Sequence, residues 1–230
     1  MKTIKTTALI FLLFLMGYTV NAQGTETRTP GNFTKIESGG SWEVYVKIGN
    51  RDEVRVESGN IALDKVITEV NDGRLKLGLE RGNYRNVDLT FYVTVRDLEG
   101  LGASGSGAIF VESDVTTDRM AIGVSGSGLI KMQDLNAGKL SVGISGSGDV
   151  QIEGGEVEEL EVGQSGSGDF EGIDLVAGSV KIGKSGSGET WISVQESMKV
   201  ASSGSGNIYY RGNPEMRGIA MSGSTKLIKK

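Results

Sequence analysis

The sequence predicts an all-β chain folded as a parallel β-helix, a solenoid of stacked coils of about 20 residues each. The first observation is a phrase, Ser-Gly-Ser-Gly, that begins at Ser104, Ser125, Ser145, Ser165, Ser185 and Ser203 and is shortened at Ser222. The second is that apolar and polar residues alternate on both sides of every copy, which is the side-chain period of a β-strand. A fixed period of this length is typical of stacked-repeat proteins.

Residues 1–22 are predicted to be a secretory signal peptide. Lys2 and Lys5 precede an apolar run from Ala8 to Met16, which is too short to span a bilayer, and a short polar region ends at Ala22. We therefore expect export, cleavage after Ala22 and no transmembrane segment in the mature chain. Loss of two lysines changes the formal net charge from −5 to −7.

The chain contains neither cysteine nor histidine. This excludes disulfides, an N-terminal lipid on cysteine, thiol nucleophiles and every arrangement that needs a histidine base. It also removes the usual ligands of zinc and haem, so no cofactor is expected. Because the mature chain is acidic, nucleic acid is not an expected partner.

Residues 23–32 form a polar lead-in, and residues 33–100 are predicted to be an N-terminal β region of the same domain. Alternation is clear from Trp42 to Ile48 and again from Val87 to Val95, and Asn71-Asp72-Gly73 is a strong turn signal. The stretch from Ile61 to Val70 is the only candidate for a short helix in this region.

Residues 101–230 are predicted to be the repeat β-helix. An aliphatic residue stands three positions before every copy of the phrase: Leu101, Ile122, Val142, Val162, Ile182, Val200 and Ile219. Each coil therefore contains a strand, a glycine-rich corner, a second strand and a variable, often acidic turn. One coil of this size cannot bury its apolar face alone, whereas parallel stacking on copies of itself can. The turns are too short for the helices of a leucine-rich repeat, and a propeller blade needs a longer repeat.

The first glycine of each phrase is predicted to be a structural corner, at Gly105, Gly126, Gly146, Gly166, Gly186, Gly204 and Gly223. Glycine suits a sharp turn, a positive φ or a close approach to a neighbouring backbone. We expect Gly146→Val to cost several times more stability than Gly154→Val. The serines are expected to form hydroxyl ladders that bond to the backbone of their own turn.

Four segments resemble a known family. They are the secretory start, the strand Trp42-Glu43-Val44-Tyr45-Val46, the strand Gly73-Arg74-Leu75-Lys76-Leu77, and the approach Val95-Arg96-Asp97-Leu98-Glu99-Gly100-Leu101 to the Ser-Gly-Ser-Gly coils. In this order they are similar to the Bacteroidetes-type family named putative auto-transporter adhesin, head GIN domain, over residues 33–228. The resemblance implies an exported right-handed β-helix whose N-terminal strands join or cap the column. It provides no catalytic motif to transfer.

Three other candidate sites have a simpler structural explanation. Asp149, Glu153, Asp169 and Glu171 are the candidate calcium ligands, but a solvated acidic turn explains them more simply. The Gly-Ser-Gly phrases lack the Lys-Ser or Lys-Thr and the helix of a phosphate-binding loop. A serine ladder that binds ice or a crystalline glycan is a further alternative, against which turns that satisfy their own backbone are favoured.

The sequence thus favours an exported scaffold of the cell envelope, located in the periplasm or at the outer surface, with a binding or adhesion role and no catalytic activity. The partner is not specified; a cell-surface glycan or an envelope protein fits. The alternative is a β-helix carbohydrate-active enzyme of the polysaccharide lyase or hydrolase type.

Overall fold

The computed structural model describes residues 24–230, and the predicted signal peptide lies outside them. Nineteen strands are described: β1 (Gly24–Arg28), β2 (Lys35–Ser38), β3 (Glu43–Ile48), β4 (Glu53–Ser58), β5 (Val66–Asn71), β6 (Arg74–Leu79), β7 (Leu89–Val95), β8 (Gly100–Gly105), β9 (Ala108–Val111), β10 (Val115–Gly126), β11 (Leu129–Met132), β12 (Leu135–Gly146), β13 (Asp149–Ile152), β14 (Gly155–Gly166), β15 (Phe170–Gly186), β16 (Thr190–Ser202), β17 (Ile208–Arg211), β18 (Glu215–Met221) and β19 (Leu227–Lys229). One 3₁₀ turn, Leu63–Lys65, completes the elements. The predicted all-β, right-handed parallel β-helix with N-terminal strands is confirmed.

Each repeat contributes one coil, and equivalent positions of successive coils pair in parallel. Ile122 lies beside Val142, and Val142 beside Val162, in an unbroken register through β10, β12 and β14. After the corner, Ile130 lies beside Val150 in the shorter strands β11 and β13. The aliphatic columns point inward because side chains alternate between the two faces of a strand.

The interior is closely filled by these columns. Phe170, Leu140 and Ile130 have no solvent-exposed surface, and Val142 and Ile182 are almost fully buried. Burying side chains of this size stabilises the fold by about 1.5–3 kcal/mol each. The core therefore runs as one continuous column along the axis of the solenoid.

The register shifts in the coil between Ser185 and Ser203, which at 18 residues is shorter than the coils that precede it. Gly172 pairs with Ile192, but Val176 already pairs with Ser193, so the strand pairing absorbs the missing residues at the turn.

The N-terminal strands join the column out of chain order. Strand β2 lies between β6 and β8, and β3 lies between β7 and β9, all in parallel. The coil formed by β6 and β7 therefore stacks outside the coil formed by β2 and β3. Beyond it, β5 pairs antiparallel with β6, and β4 pairs antiparallel with both β7 and β1. Of the candidate helical stretch Ile61 to Val70, only Leu63–Lys65 is helical, as a single 3₁₀ turn, and Val66 begins β5.

Candidate binding surface

The Ser-Gly-Ser-Gly corners are bonded through their backbones. The amide of Ser127 donates to the carbonyl oxygen of Gly105, 2.8 Å away, and Ser147 donates likewise to Gly126 at 2.8 Å. Gly126 has φ +121°, and a β-carbon there would lie 2.6 Å from the same Gly105 oxygen. A side chain at this position would therefore collide with the acceptor that joins the two coils. Among the seven corner glycines, φ is positive at Gly105, Gly126, Gly146, Gly166 and Gly223.

Gly186 and Gly204 lack the positive φ but are equally crowded. A β-carbon at Gly186 would overlap the carbonyl oxygen of Gly166, and one at Gly204 would overlap that of Gly186. Close backbone approach, rather than dihedral strain, is what suits glycine to these two corners.

A second glycine column faces solvent and has no such constraint. A β-carbon at Gly123, Gly143 or Gly183 would meet nothing within 4 Å. With the exposed first serines of the phrases, such as Ser125 and Ser145, these glycines form the Gly–Ser face of the solenoid. A shallow trough of about 880 Å³ runs along this face. Most of the residues that line it are glycine or serine, and the larger side chains Glu37, Lys76 and Leu79 line its N-terminal end.

The four candidate calcium ligands lie on the outer side of the short strands. Asp149 and Asp169 occupy equivalent positions of consecutive coils, and the amide of Asp169 donates to Oδ1 of Asp149 at 2.8 Å. Glu153 pairs with Lys131 at 2.6 Å, and Glu171 lies beside Gln151. Among residues 24–230, no group of three or more acidic side chains is placed to hold a metal ion.

A different surface carries large side chains: one column of outward positions on the strands that follow the corners and on the N-terminal strands paired with them. Strand register places its members in one file, which we call the outer strip: Arg55, Tyr92, Tyr45, Phe110, Lys131, Gln151, Glu171, Trp191, Tyr209 and Ile228. Successive members are spaced by the strand separation of about 4.8 Å. Aromatic rings lie toward both ends of the strip, and polar side chains lie between them.

The aromatic cluster near the N-terminal end is a stack of three rings. Tyr45 lies between Tyr92 and Phe110, with ring centroids 5.4 Å and 5.3 Å apart and planes inclined by 16° and 25°. The guanidinium of Arg55 lies 3.8 Å from the centre of the Tyr92 ring. Glu43 accepts a hydrogen bond from the Tyr45 hydroxyl at 2.7 Å, which raises the pKa of that phenol.

The second aromatic cluster contains Trp191 and Tyr209, whose ring centroids are 3.9 Å apart. Glu189 accepts hydrogen bonds from Trp191 Nε1 at 3.3 Å and from the Tyr209 hydroxyl at 3.2 Å. Asn207 donates to the same hydroxyl at 3.2 Å, and Lys230 Nζ lies 4.7 Å from the Tyr209 ring. These contacts hold rings, carboxylate and amide in a fixed arrangement at the surface.

Polar side chains also point into the interior of the C-terminal coils, away from both the Gly–Ser face and the outer strip. The inward position occupied by Val124 and Ile144 is taken by Gln164, Lys184 and Ser202 in later coils. Gln164 Nε2 donates to the carbonyl oxygen of Glu189 at 2.9 Å, and Lys184 Nζ donates to that of Gly188. Burial lowers the pKa of Lys184, although the nearby carboxylates of Asp169 and Glu189 oppose the shift.

Sequence reasoning overlooked the outer strip. Phe110, Trp191 and Tyr209 stand at equivalent positions of their repeats, six residues after the first serine, so the period alone could have aligned them. Tyr45 and Tyr92 lie outside the repeats, and only the pairing of β3 with β7 and β9 brings them into the same file.

Comparisons with known proteins agree with this architecture. Residues 32–214 match the family model described as "Putative auto-transporter adhesin, head GIN domain". A putative adhesin from Bacteroides fragilis is similar at 25% identity with a TM-score of 0.82, over 90% of this chain and 97% of that chain. No curated protein matches the chain. In the part of the chain that the structure describes, no helix has the length and apolar character needed to cross a membrane.

Two further solved structures share the fold. A putative adhesin from Parabacteroides merdae is 18% identical with a TM-score of 0.72, over 90% of this chain and 96% of that one. A protein from Parabacteroides distasonis described as a putative lipid-binding protein is 23% identical with a TM-score of 0.67, over the same shares. Because the family model spans most of the chain, as the sequence predicted, this protein belongs to the putative auto-transporter adhesin, head GIN domain family.

Proposed function

We propose that the protein is an exported scaffold of the cell envelope that binds a partner through the outer strip and performs no catalysis. The observation that carries the proposal is the concentration of half-buried aromatic side chains in one outward file of the solenoid. Large aromatic groups with polar edges are the side chains that contribute most to recognition surfaces. Membership of a family named for adhesins supports a binding role.

The rigidity of the scaffold supports the same role. The strip is built on strands that are paired on both sides through β9, β11, β13 and β15, so its side chains keep their spacing without a ligand. A preorganised surface loses little conformational entropy when it binds. The Gly–Ser face is a weaker candidate because most of the residues that line its trough are glycine or serine.

The test is retention of the protein on immobilised glycans and on isolated cell envelopes. Wild type is compared with a strip variant, Tyr45→Ala/Trp191→Ala/Tyr209→Ala, and with a matched Gly–Ser face variant, Ser125→Ala/Ser145→Ala/Ser165→Ala. We expect the strip variant to lose retention and the serine variant to keep it, provided circular dichroism shows both to be folded. Loss of retention in the serine variant alone would instead assign binding to the Gly–Ser face.

Catalysis and location are tested in parallel. Incubation with acidic and neutral polysaccharides is expected to release no shortened product, and product formation would favour the enzyme alternative. Fractionation of cells that produce the full chain is expected to place the processed protein, starting at Gln23, in the periplasm or at the outer surface. Recovery of the unprocessed chain in the cytoplasm would contradict export.

A further inference from the structure

The chemistry of the outer strip narrows the class of ligand, and the following inference rests on the proposed function. We infer that the strip binds an extended, uncharged polysaccharide chain lying along the solenoid axis. Sugar rings combine apolar C–H faces with equatorial hydroxyls, so a site for them needs aromatic surface together with fixed hydrogen-bonding groups. Both kinds of group are present in one file.

The arrangement of the strip suits a chain rather than a single sugar. From Phe110, the file passes Lys131, Gln151 and Glu171 before it reaches Trp191. Four strand separations of about 4.8 Å place the two aromatic clusters roughly 19 Å apart. A ligand must contain several sugars to contact both clusters.

Polar groups in the strip and beside it can serve as hydrogen-bonding partners. Gln151 and Glu171 lie between the two clusters, and Asp149 and Asp169 lie in the neighbouring outward column. Amide and carboxylate oxygens accept from sugar hydroxyls, and the Gln151 amide also donates. At the C-terminal cluster, Glu189 is already oriented by Trp191 and Tyr209.

The charge of this surface selects against acidic polysaccharides. In the middle of the strip, Asp149, Asp169 and Glu171 face the same side and Lys131 is paired with Glu153, whereas the cations Arg55 and Lys230 lie over aromatic rings at the two ends. A uronic acid or sulfated sugar placed there would meet like charge at short range, which disfavours binding. The part of a ligand that crosses the middle of the strip is therefore expected to be neutral.

The two tryptophans make the test direct. Trp42 is buried and its Nε1 donates to Ser38 at 2.9 Å, whereas Trp191 lies half-exposed in the strip. Fluorescence of the full chain is titrated with cello-, xylo- and manno-oligosaccharides from disaccharide to hexasaccharide, and with oligogalacturonides. We expect saturable changes with at least one neutral series and none with the galacturonides. Affinity should rise about tenfold or more, equivalent to about 1.4 kcal/mol, as the chain becomes long enough to reach both clusters.

Two variants separate the clusters, with binding read by calorimetry. Trp191→Ala and Tyr45→Ala should each weaken binding of the longest oligosaccharides most, because only these contact both clusters. Trp191→Phe, which keeps an aromatic ring, should restore most of the affinity, and Ser145→Ala on the other face should change nothing. Thermal unfolding of each variant shows whether it is folded.

Three outcomes would overturn the inference: no saturable binding of any neutral oligosaccharide, equal binding of galacturonides, or the same loss for Tyr45→Ala at all lengths. If the strip variant still loses retention on cell envelopes while neutral glycans fail to bind, the ligand is a protein or another surface component. In that case the inference is wrong and the proposed binding function stands.

Discussion

Each repeat contains two glycines whose surroundings differ, as Gly146 and Gly143 show at the scale of single residues. A β-carbon at Gly146 would lie 2.5 Å from the Gly126 carbonyl oxygen, and the residue has φ +116°. Gly143, three positions earlier, lies in strand β12 with nothing within 4 Å of its β-carbon position. The corner glycine is therefore required by the fold, and the strand glycine is not.

Alanine at these two positions should change stability in opposite directions. Gly146→Ala is expected to lower the free energy of unfolding by about 2 kcal/mol or more, since it adds both dihedral strain and a backbone collision. Gly143→Ala should raise it by about 0.5–1 kcal/mol, because alanine loses less entropy in a strand. Urea unfolding of the two variants measures the difference. Equal destabilisation would show that the outward glycine column also has a structural role.

Lys184 places a charge inside the column, and its effect on stability depends on pH. Burial lowers the pKa of Lys184 in the folded state. At pH values between the folded-state and the unfolded-state pKa, the unfolded chain therefore binds more protons than the folded chain. The free energy of unfolding of the wild type should therefore rise as pH increases through that range. Lys184→Met, which fills similar volume without a charge, should be more stable than the wild type near neutral pH and lose that advantage at high pH.

Urea unfolding at about pH 7 and about pH 10 tests this prediction, because the change occurs below the unfolded-state pKa of about 10.4. Lys199→Met is the matched control, since Lys199 is exposed on the outer side of β16. A similar pH dependence in the control, or a less stable Lys184→Met at neutral pH, would contradict the argument.

At the scale of elements, one ion pair ties the antiparallel cap to the column. Asp52 precedes β4, and its buried carboxylate accepts from the Arg96 amide at 3.1 Å and from its guanidinium at 2.6 Å. Burial alone would raise the pKa of Asp52, but the hydrogen bonds and charge of Arg96 outweigh it and lower that pKa. Asp52 therefore stabilises the fold above its ordinary pKa, and the contribution disappears as pH falls through the folded-state value.

Asp52→Asn should lower the free energy of unfolding by about 1–2 kcal/mol near neutral pH, a loss that shrinks in acid. Glu53→Gln serves as the control, because Glu53 pairs with the exposed Arg51 two residues away and such pairs contribute little. Thermal unfolding at several pH values measures both variants. A loss that persists unchanged in acid would assign the effect to packing rather than to charge.

The elements divide clearly into those that the sequence could predict and those that it could not. Equivalent positions such as Ile122 and Val142 repeat at a fixed spacing, and only stacking in register can bury them, so the coils follow from the period. The insertion of β2 between β6 and β8 has no such signal, because residues 33–100 lack the repeat. Gly40 is part of a corner without the phrase: its carbonyl oxygen accepts from Ser106 at 3.1 Å.

The N-terminal part of the outer strip was unpredictable for a related reason. Strand alternation shows which residues point outward, but it does not show which coils are neighbours. Tyr92 reaches Tyr45 through a pairing between strands that are far apart in the sequence, and Tyr45 reaches Phe110 through another. The corners recur with the period, which the sequence shows directly, whereas the N-terminal part of the outer strip depends on long-range topology.

At the scale of the whole molecule, one complete coil can be deleted while equivalent positions of the remaining coils stay aligned. Deletion of residues 125–144 joins Val124 to Ser145, so that Gly146 stacks on Gly105 and Val150 on Ile109. We expect a folded β-helix of lower thermal stability that is shorter by about 4.8 Å, because each coil contacts mainly its neighbours. Small-angle scattering and circular dichroism measure length and fold.

Deletion of residues 125–141 is the control, since it joins Val124 to Val142 and puts the later coils out of phase. This variant should fail to fold, because a shift of register exposes the inward columns and places charged residues in the core.

The in-phase deletion also removes Lys131 from the outer strip, which brings the aromatic clusters one strand separation closer. If neutral chains bind along the strip, a shorter oligosaccharide should then reach both clusters. An unchanged length dependence in a folded variant would contradict binding across the two clusters.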